Sequence, residues 1–205
     1  MPDEPKRQDW LGTHRSEAAA DRILDAAGEL YTERDQDSVS MNEIARAAGC
    51  SRATLYRYFE NREVLQTAYV HRETYRLSRQ IRHQIGGIDD PQERLVASIL
   101  AVLRMVRENP ALAAWFAVTR PPTGGEIAGQ SDVIAALAAA FINSLGAPGD
   151  PGDPDTVQRR GRWVLRVITS LLMFPGHDDA DERAMIAEFV VPVVAQLPVP
   201  NQATQ

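Results

Sequence analysis

Cys50 is the only cysteine in 205 residues, so no intrachain disulfide can form and the fold must rest on a core of its own. The four histidines, His14, His71, His83 and His177, never fall at His-x-x-x-His or His-Glu-x-x-His spacing, which removes the usual helical zinc signatures. No glycine-rich phosphate loop and no Gly-x-Ser-x-Gly elbow occurs either, so the common hydrolase and nucleotide-binding motifs are missing. Long apolar runs are also lacking. The stretch 133–149 is broken by Asn143, Ser144, Gly146 and Pro148, and the stretch from Phe189 contains three prolines; neither supplies the ~20 residues of a membrane span. The opening Met1–Arg7 has no apolar segment of the kind a secretion signal needs. These absences predict a soluble, cytoplasmic protein that is not an enzyme and holds no metal or cofactor.

What is present reads as helix. Hydrophobic residues make up 44% and charged residues 24%, values of a globular chain long enough to bury a real core. No window alternates with period 2, whereas 3.6-residue apolar stripes recur. They predict helices over 16–31, from 40 to Gly49, over 51–59 and over 61–85, the last roughly 37 Å long and able to link two domains. Asp90-Pro91-Gln92-Glu93 and Asn109-Pro110 mark two further helix starts, the second helix ending at Pro121-Pro122. Later helices are expected over 132–145, 156–174 and 181–197, with a kink at Pro192. Between the first two of these, Gly146 to Pro154 reads as a loop by composition.

The segment from Ser40 to Arg62 carries the function. The chain as a whole has a formal charge of −6, yet this segment holds four arginines (Arg46, Arg52, Arg57, Arg62) against two acids (Glu43, Glu60), a local +2. A small basic patch on an acidic body suits a DNA reader whose body stays off the DNA. Two short helices joined at Gly49 form a helix-turn-helix pattern, in which the second helix enters the major groove. At 100° per residue, Leu55 and Phe59 turn inward. Ala53 and Arg57 face the opposite way, flanked by Thr54 and Tyr56, with Arg52 able to reach round. Ala53 would let the backbone approach the groove floor. Arg52 and Arg57 can donate bidentately to guanine or pair with phosphate, and the hydroxyls of Thr54, Tyr56 and Tyr58 suit phosphate oxygens.

The run Ser51-Arg52-Ala53-Thr54-Leu55-Tyr56-Arg57-Tyr58-Phe59 resembles the TetR family of transcriptional repressors. Ser40–Cys50 before it and Asn61–Leu65 after it extend the similarity over about 23–65. The resemblance implies an all-α protein of about nine helices: an N-terminal three-helix helix-turn-helix domain and a C-terminal helical-bundle ligand and dimerisation domain. On that reading residues 1–15 form a flexible arm, 16–60 the DNA-binding domain, 61–197 the ligand and dimer domain and 198–205 a disordered tail. The implied DNA contacts are Ser40, Met41, Ser51, Arg52, Ala53, Thr54, Tyr56, Arg57, Tyr58 and Arg62. Met41 stands where a hydroxyl residue is common and Cys50 where valine is common. The implied partners are a palindromic double-stranded operator, a second copy of the chain and a small effector that releases the DNA.

Two further sites are read from the stripes. The last two long helices repeat apolar residues at i, i+1, i+4 and i+5, so one side can meet the chain's own core and the other a twin. Val164, Ile168, Leu171, Leu172, Ile186, Phe189, Val190 and Val193 are the expected dimer residues, internal core packing being the alternative. Met105, Leu112, Trp115, Phe116 and Phe141 are the expected effector contacts. Few charges face that region, which points to an apolar or amphipathic ligand. Two other features have competing readings. Cys50 reads first as a small packing residue in the turn, with a redox sensor as the alternative. His177-Asp178-Asp179-Ala180-Asp181-Glu182 reads first as a solvated loop whose acids favour a helix N-terminus, with cation binding as the alternative. A chain that keeps this fold but binds no DNA is the third class weighed, beside regulator and enzyme.

Overall fold

The computed structural model describes residues 10–116, 127, 129–145 and 153–194, with side chains from residue 17. Within them every regular element is helical: α1 (Trp10–Glu33), α2 (Met41–Ala47), α3 (Arg52–Tyr58), α4 (Arg62–Ile85), α5 (Pro91–Glu108), α6 (Pro110–Ala113) with a 3₁₀ turn (Ala114–Phe116), α7 (Asp132–Ser144), α8 (Pro154–Met173), α9 (Asp179–Met185), a π-helical stretch (Ile186–Val190) and a last turn, α10 (Val191–Val194). Thr119, the stop at Pro121-Pro122, the loop between Gly146 and Gly152, Leu197 and the tail lie outside the described residues.

The helix starts follow from side-chain caps. Ser40 and Glu43 form a reciprocal capping box on α2, and Asp90, Asn109, Ser131 and Asp178 accept from the first free amides of α5, α6, α7 and α9. The expectation for α8 needs correcting. It begins at Pro154 rather than about 156, because Asp153 caps it by accepting from the Thr156 amide at 2.9 Å, the same Asp-Pro device that opens α5. Likewise α1 begins at Trp10, so Ser16 is an interior residue rather than a cap and the expected arm is in part helix.

Packing divides the chain between Tyr69 and Val70, inside α4, where the expectation was 60/61. The reason lies on α4's first two turns. Leu65 and Tyr69 are buried; the Tyr69 ring meets Tyr31 edge-on at 5.3 Å, and a Cβ at Gly28 would lie 3.0 Å from it. The amino-terminal unit thus closes around Ile23, Leu24, Ala27, Tyr31, Val39, Ile44, Leu55, Phe59 and Leu65, each large side chain contributing roughly 1.5–3 kcal/mol by burial.

In the carboxy-terminal unit α5 is central. Leu95, Val96, Ile99 and Leu103 pack with Ile142, Val164, Leu171, Ile186, Val190, Val191 and Val194 in one cluster. Helices α7 and α8 pack closely: a Cβ on Gly161 would stand 2.9 Å from the Ala139 backbone nitrogen, so glycine permits the approach. Four of the expected dimer residues, Val164, Leu171, Ile186 and Val190, are buried in this core. They cannot meet a second chain, and the inner half of each stripe is accounted for by the chain's own packing.

Glu182 corrects a further expectation. It is 2% exposed, not part of a solvated acidic loop. Arg107 grips it from α5, donating through Nη1 to Oε2 at 2.8 Å and through Nη2 to Oε1 at 2.6 Å, while Nη2 also donates to the Leu171 carbonyl at 2.9 Å. The Gly176 amide donates to Oε1 at 3.0 Å. One bidentate pair therefore ties α5, the end of α8 and the start of α9 together. These bonds hold the Glu182 carboxyl below the usual glutamate range, first through Arg107, against the opposing effect of burial. Removing one partner of such a pair costs about 3–5 kcal/mol, and Arg107→Met should approach the lower figure because Arg107 is partly solvated. Because the folded-state pKa of Glu182 is depressed, the pair's contribution is fully present above the unfolded value near ~4.3 and is lost as pH falls through the folded one. Urea unfolding of wild type and Arg107→Met should therefore diverge at pH 7, with the gap starting to narrow as pH falls below ~4.3 and closing only once pH has passed the lower folded-state value; a gap independent of pH would contradict the assignment.

Candidate functional site

The candidate DNA-reading face starts from the turn between α2 and α3. Gly49 has φ +65°, a conformation that costs an L-residue roughly 1–2 kcal/mol. Its amide donates to the Arg46 carbonyl at 3.1 Å and the Cys50 amide to the Ala45 carbonyl at 2.9 Å, the paired bonds of a Schellman ending. Two residues on, Ser51 caps α3, its Oγ accepting from the Thr54 amide at 3.1 Å and lying 2.9 Å from the Thr54 hydroxyl. Leu55 and Phe59 are buried, while Ser51, Arg52, Ala53, Tyr56 and Arg57 are exposed and Thr54 and Tyr58 half-buried. The helical wheel therefore sorts α3 as the sequence predicted.

Two cations on this face are stacked. The Arg52 guanidinium lies 5.3 Å from the Tyr56 ring centre and that of Arg57 5.3 Å from Tyr58, contacts worth about 0.5–1 kcal/mol at exposed positions. They narrow the rotamers of two long side chains before any partner arrives. Behind them Ser40 donates through its amide and hydroxyl to Glu43 Oε2, at 2.9 and 2.7 Å, and Arg34 donates to Glu43 Oε1 at 3.0 Å. The Ser40 side chain leads the bonds that bring the Glu43 carboxyl down to about 2. Arg62 Nη1 donates to the Asp37 carbonyl at 2.7 Å, which pins the loop before α2 and leaves other guanidinium donors of Arg62. Met41 departs from the expected contact set. It is 8% exposed and joins the core, so its side chain cannot reach DNA; only its backbone amide at the start of α2 remains.

The carboxy-terminal unit holds a cavity of about 280 Å³, open at one side and lined from α4, α5, α6, α7 and α8. Of the residues put forward as effector contacts, Leu112, Phe116 and Phe141 line it and Met105 and Trp115 do not. Met105 packs with Ile81 and Ile85 to one side, and Trp115 is fully buried. Sequence reasoning placed the effector between helices 4 and 8 but named none of the α4 residues that line the cavity, Val70, Thr74, Leu77, Ser78 and Ile81, although the i, i+4, i+7 spacing was there to read. His71 and Ser131 share a hydrogen bond of 2.7 Å, and Ser131 caps α7, so two walls are fastened at one corner. Burial pushes the His71 imidazole below its usual range.

Of the expected dimer residues, Phe189 (61%) and Val193 are exposed, and Ile168 and Leu172 are partly buried. Met185 joins Phe189 and Val193 in one outward row, and Trp163 and Phe174 are exposed on and just past α8. Among the described residues no group of three metal-ligating side chains occurs, and no helix is long and apolar enough to cross a membrane.

A glycine-turned helix pair presenting stacked arginines, in a chain that also carries a cavity-bearing helical unit, has the features of a helix-turn-helix regulator of transcription. Residues 23–69 match the bacterial regulatory proteins of the tetR family. An HTH-type transcriptional regulator of Mycobacterium tuberculosis, Rv1255c, is 69% identical over 186 residues, covering 91% of this chain and 90% of its own. The regulator AlkX of the same organism is 26% identical over 179 residues, 84% of this chain and 83% of its own. Among solved structures, the TetR family repressor AlkX from Dietzia superposes with a TM-score of 0.67 at 23% identity, over 86% of this chain and 95% of that one. The chain belongs to the TetR family, whose members are DNA-binding transcriptional regulators rather than enzymes.

Arg57 sits at the centre of the exposed face of α3. Arg57→Ala is expected to weaken binding to the cognate site by about 1–3 kcal/mol and to relax base preference at the position it reads. Competition against random DNA checks this, since an equal loss on both would make Arg57 a phosphate contact.

Proposed function

We propose that this chain is a repressor that binds a palindromic operator as a homodimer, in the cytoplasm, and releases it when a small apolar or amphipathic effector enters the cavity of the carboxy-terminal unit. The observation that carries the reading is the cavity. Protein interiors leave few voids larger than a water. At about 280 Å³, with a largely apolar lining, this one is far larger than a packing defect and near the size of a small-molecule site.

The dimer reading is supported by the outward row Met185, Phe189 and Val193, with Trp163 and Phe174, all apolar and exposed. One α3 reads too few base pairs for an operator, whereas a two-fold pair reads two half-sites about one DNA turn apart, ~34–36 Å, or a multiple of it. Ser51, Arg52, Ala53, Thr54, Tyr56, Arg57 and Tyr58 are the proposed operator contacts on this reading, with Ser40 and Arg62 at the flanks. Repression follows where the operator overlaps a promoter. The outcome that favours activation instead is a fall in transcription from that promoter when the gene is deleted.

Phe189→Asp should convert the dimer to a folded monomer in light scattering with unchanged helix content by circular dichroism; a dimer that survives would move the interface elsewhere. Effector and operator must also oppose each other reciprocally. A tenfold loss of operator affinity on binding effector is about 1.4 kcal/mol of coupling, and operator must weaken effector by the same factor. Titrating a candidate effector with and without operator measures this, and equal affinities would end the mechanism for that compound.

A further inference from the structure

We infer that the effector is an anion, a medium-chain monocarboxylic acid whose carboxylate pairs with Arg82 at the cavity mouth and whose chain fills the apolar interior. This rests on the cavity being the effector site and assigns the chemistry that the site selects.

The cavity's lining is largely apolar, and its charged members are two, Glu73 and Arg82. They differ in availability. The Glu73 side chain is nearly buried, and its Oε1 already holds Arg72 at 3.2 Å and Arg76 at 3.0 Å, so it is neutralised within α4 and is a poor counter-ion for a cationic guest. Arg82 is exposed, and among the described residues its guanidinium has no hydrogen-bond or ion-pair partner. A guanidinium offers five donors in a fork that fits a carboxylate bidentately.

The hydroxyl groups of the wall sharpen the choice. Thr74 donates to the Val70 carbonyl at 2.8 Å, Ser78 to Tyr75 at 3.0 Å, Ser98 to Arg94 at 2.6 Å and Ser144 to Phe141 at 2.6 Å. All four protons are spent on their own helices, and the oxygens that remain are acceptors. Apart from the Thr169 hydroxyl, the lining side chain with donors to give is Arg82. A guest bearing an acceptor head therefore finds its partner at one place.

That place is the entrance. Of the lining residues, Arg82, Ala140 and Ser144 are exposed, whereas the rest are buried or half-buried. An anionic head at Arg82 keeps contact with water while the chain leaves it, so the head escapes most of the desolvation cost that full burial would impose. Approach is favoured as well: from Arg72 to His83, α4 carries four arginines against one glutamate, a local +3 on a chain of net −6. At about 30 Å³ per water-sized group, the cavity of about 280 Å³ holds roughly ten non-hydrogen atoms, which sets the chain length near that of a decanoate.

The experiment is calorimetric titration of the full-length protein with decanoate, 1-decanol and decylamine, each below its micellar range. Wild type should bind decanoate at least tenfold more tightly than decanol and leave decylamine unbound. Arg82→Gln should lose at least tenfold in decanoate affinity with decanol unchanged, and Arg82→Lys should recover part of the loss; ligand-free thermal unfolding confirms that these variants and Ala138→Trp fold. Ala138→Trp, which fills the cavity, should abolish binding of decanoate and decanol alike. Decanoate that binds wild type and Arg82→Gln equally, while Ala138→Trp still blocks decanol, overturns the carboxylate assignment and leaves the cavity as the effector site. Failure of all three compounds to bind wild type, or binding indifferent to Ala138→Trp, overturns the inference together with the cavity reading.

Discussion

A buried carboxylate is the constraint around which the carboxy-terminal unit is organised. Glu182 is almost fully removed from water, a position an acid holds only when each oxygen is satisfied. Satisfying it requires Arg107 to cross from α5, the Leu171 carbonyl to end α8 in one orientation and the chain at Gly176 to pass close enough to donate an amide. A side chain at Gly176 would collide, since its Cβ would stand 2.7 Å from the Glu182 Cγ. The direction in which α9 departs is thereby set, and with it the outward row that ends in Phe189 and Val193. Hydrophobic contacts around Leu95, Ile99 and Leu103 supply most of the stabilisation; the ion pair selects one arrangement of them.

The amino-terminal unit has a comparable point of control in Gly49. A positive φ at one residue closes α2, satisfies two of its last carbonyls and releases the chain to Ser51, which opens α3. Stacking on Tyr56 and Tyr58 then holds Arg52 and Arg57 ready. Preorganisation of this kind lowers the side-chain entropy lost on docking, which otherwise costs about 0.5–1.5 kcal/mol for each long side chain immobilised.

Local chemistry was legible in the sequence and distant chemistry was not. The capping box at Ser40, the Asp90-Pro91 and Asn109-Pro110 starts and the inward pair Leu55 and Phe59 depend on residues within one or two turns of each other, and each stands as read. Asp153-Pro154 carried the same signal but sat at the end of a glycine- and proline-rich stretch whose composition masked it. Glu182 looked solvated because its neighbours are acids, and its partner lies 75 residues away. Val164 and Leu171 show a limit of another kind: an apolar stripe says that a face leaves water, not whether a core or a second chain covers it. For the cavity, Trp115 and Phe116 are adjacent and equally aromatic, yet only Phe116 borders the void, and that difference is set by where α4, α7 and α8 fall short of contact.

The π-helical stretch gives the last helix an unusual geometry. In an α-helix each step of four residues overshoots a full turn by about 40°, so a row of apolar residues at i, i+4 and i+8 winds away around the axis. The wider π turn at Ile186–Val190, closed by the Val191 amide on the Ile186 carbonyl, takes back part of that overshoot. Ile186, Val190 and Val194 therefore stay on the inner side for three successive rungs, while Met185, Phe189 and Val193 stay on the outer side. Such a turn is an α-helix that has accommodated one extra residue. The stretch can therefore give up a single residue between 186 and 190 by closing to an ordinary α turn, whereas a one-residue change elsewhere in the helix would rotate everything after it by about 100° and exchange covered surface for offered surface without altering one side chain.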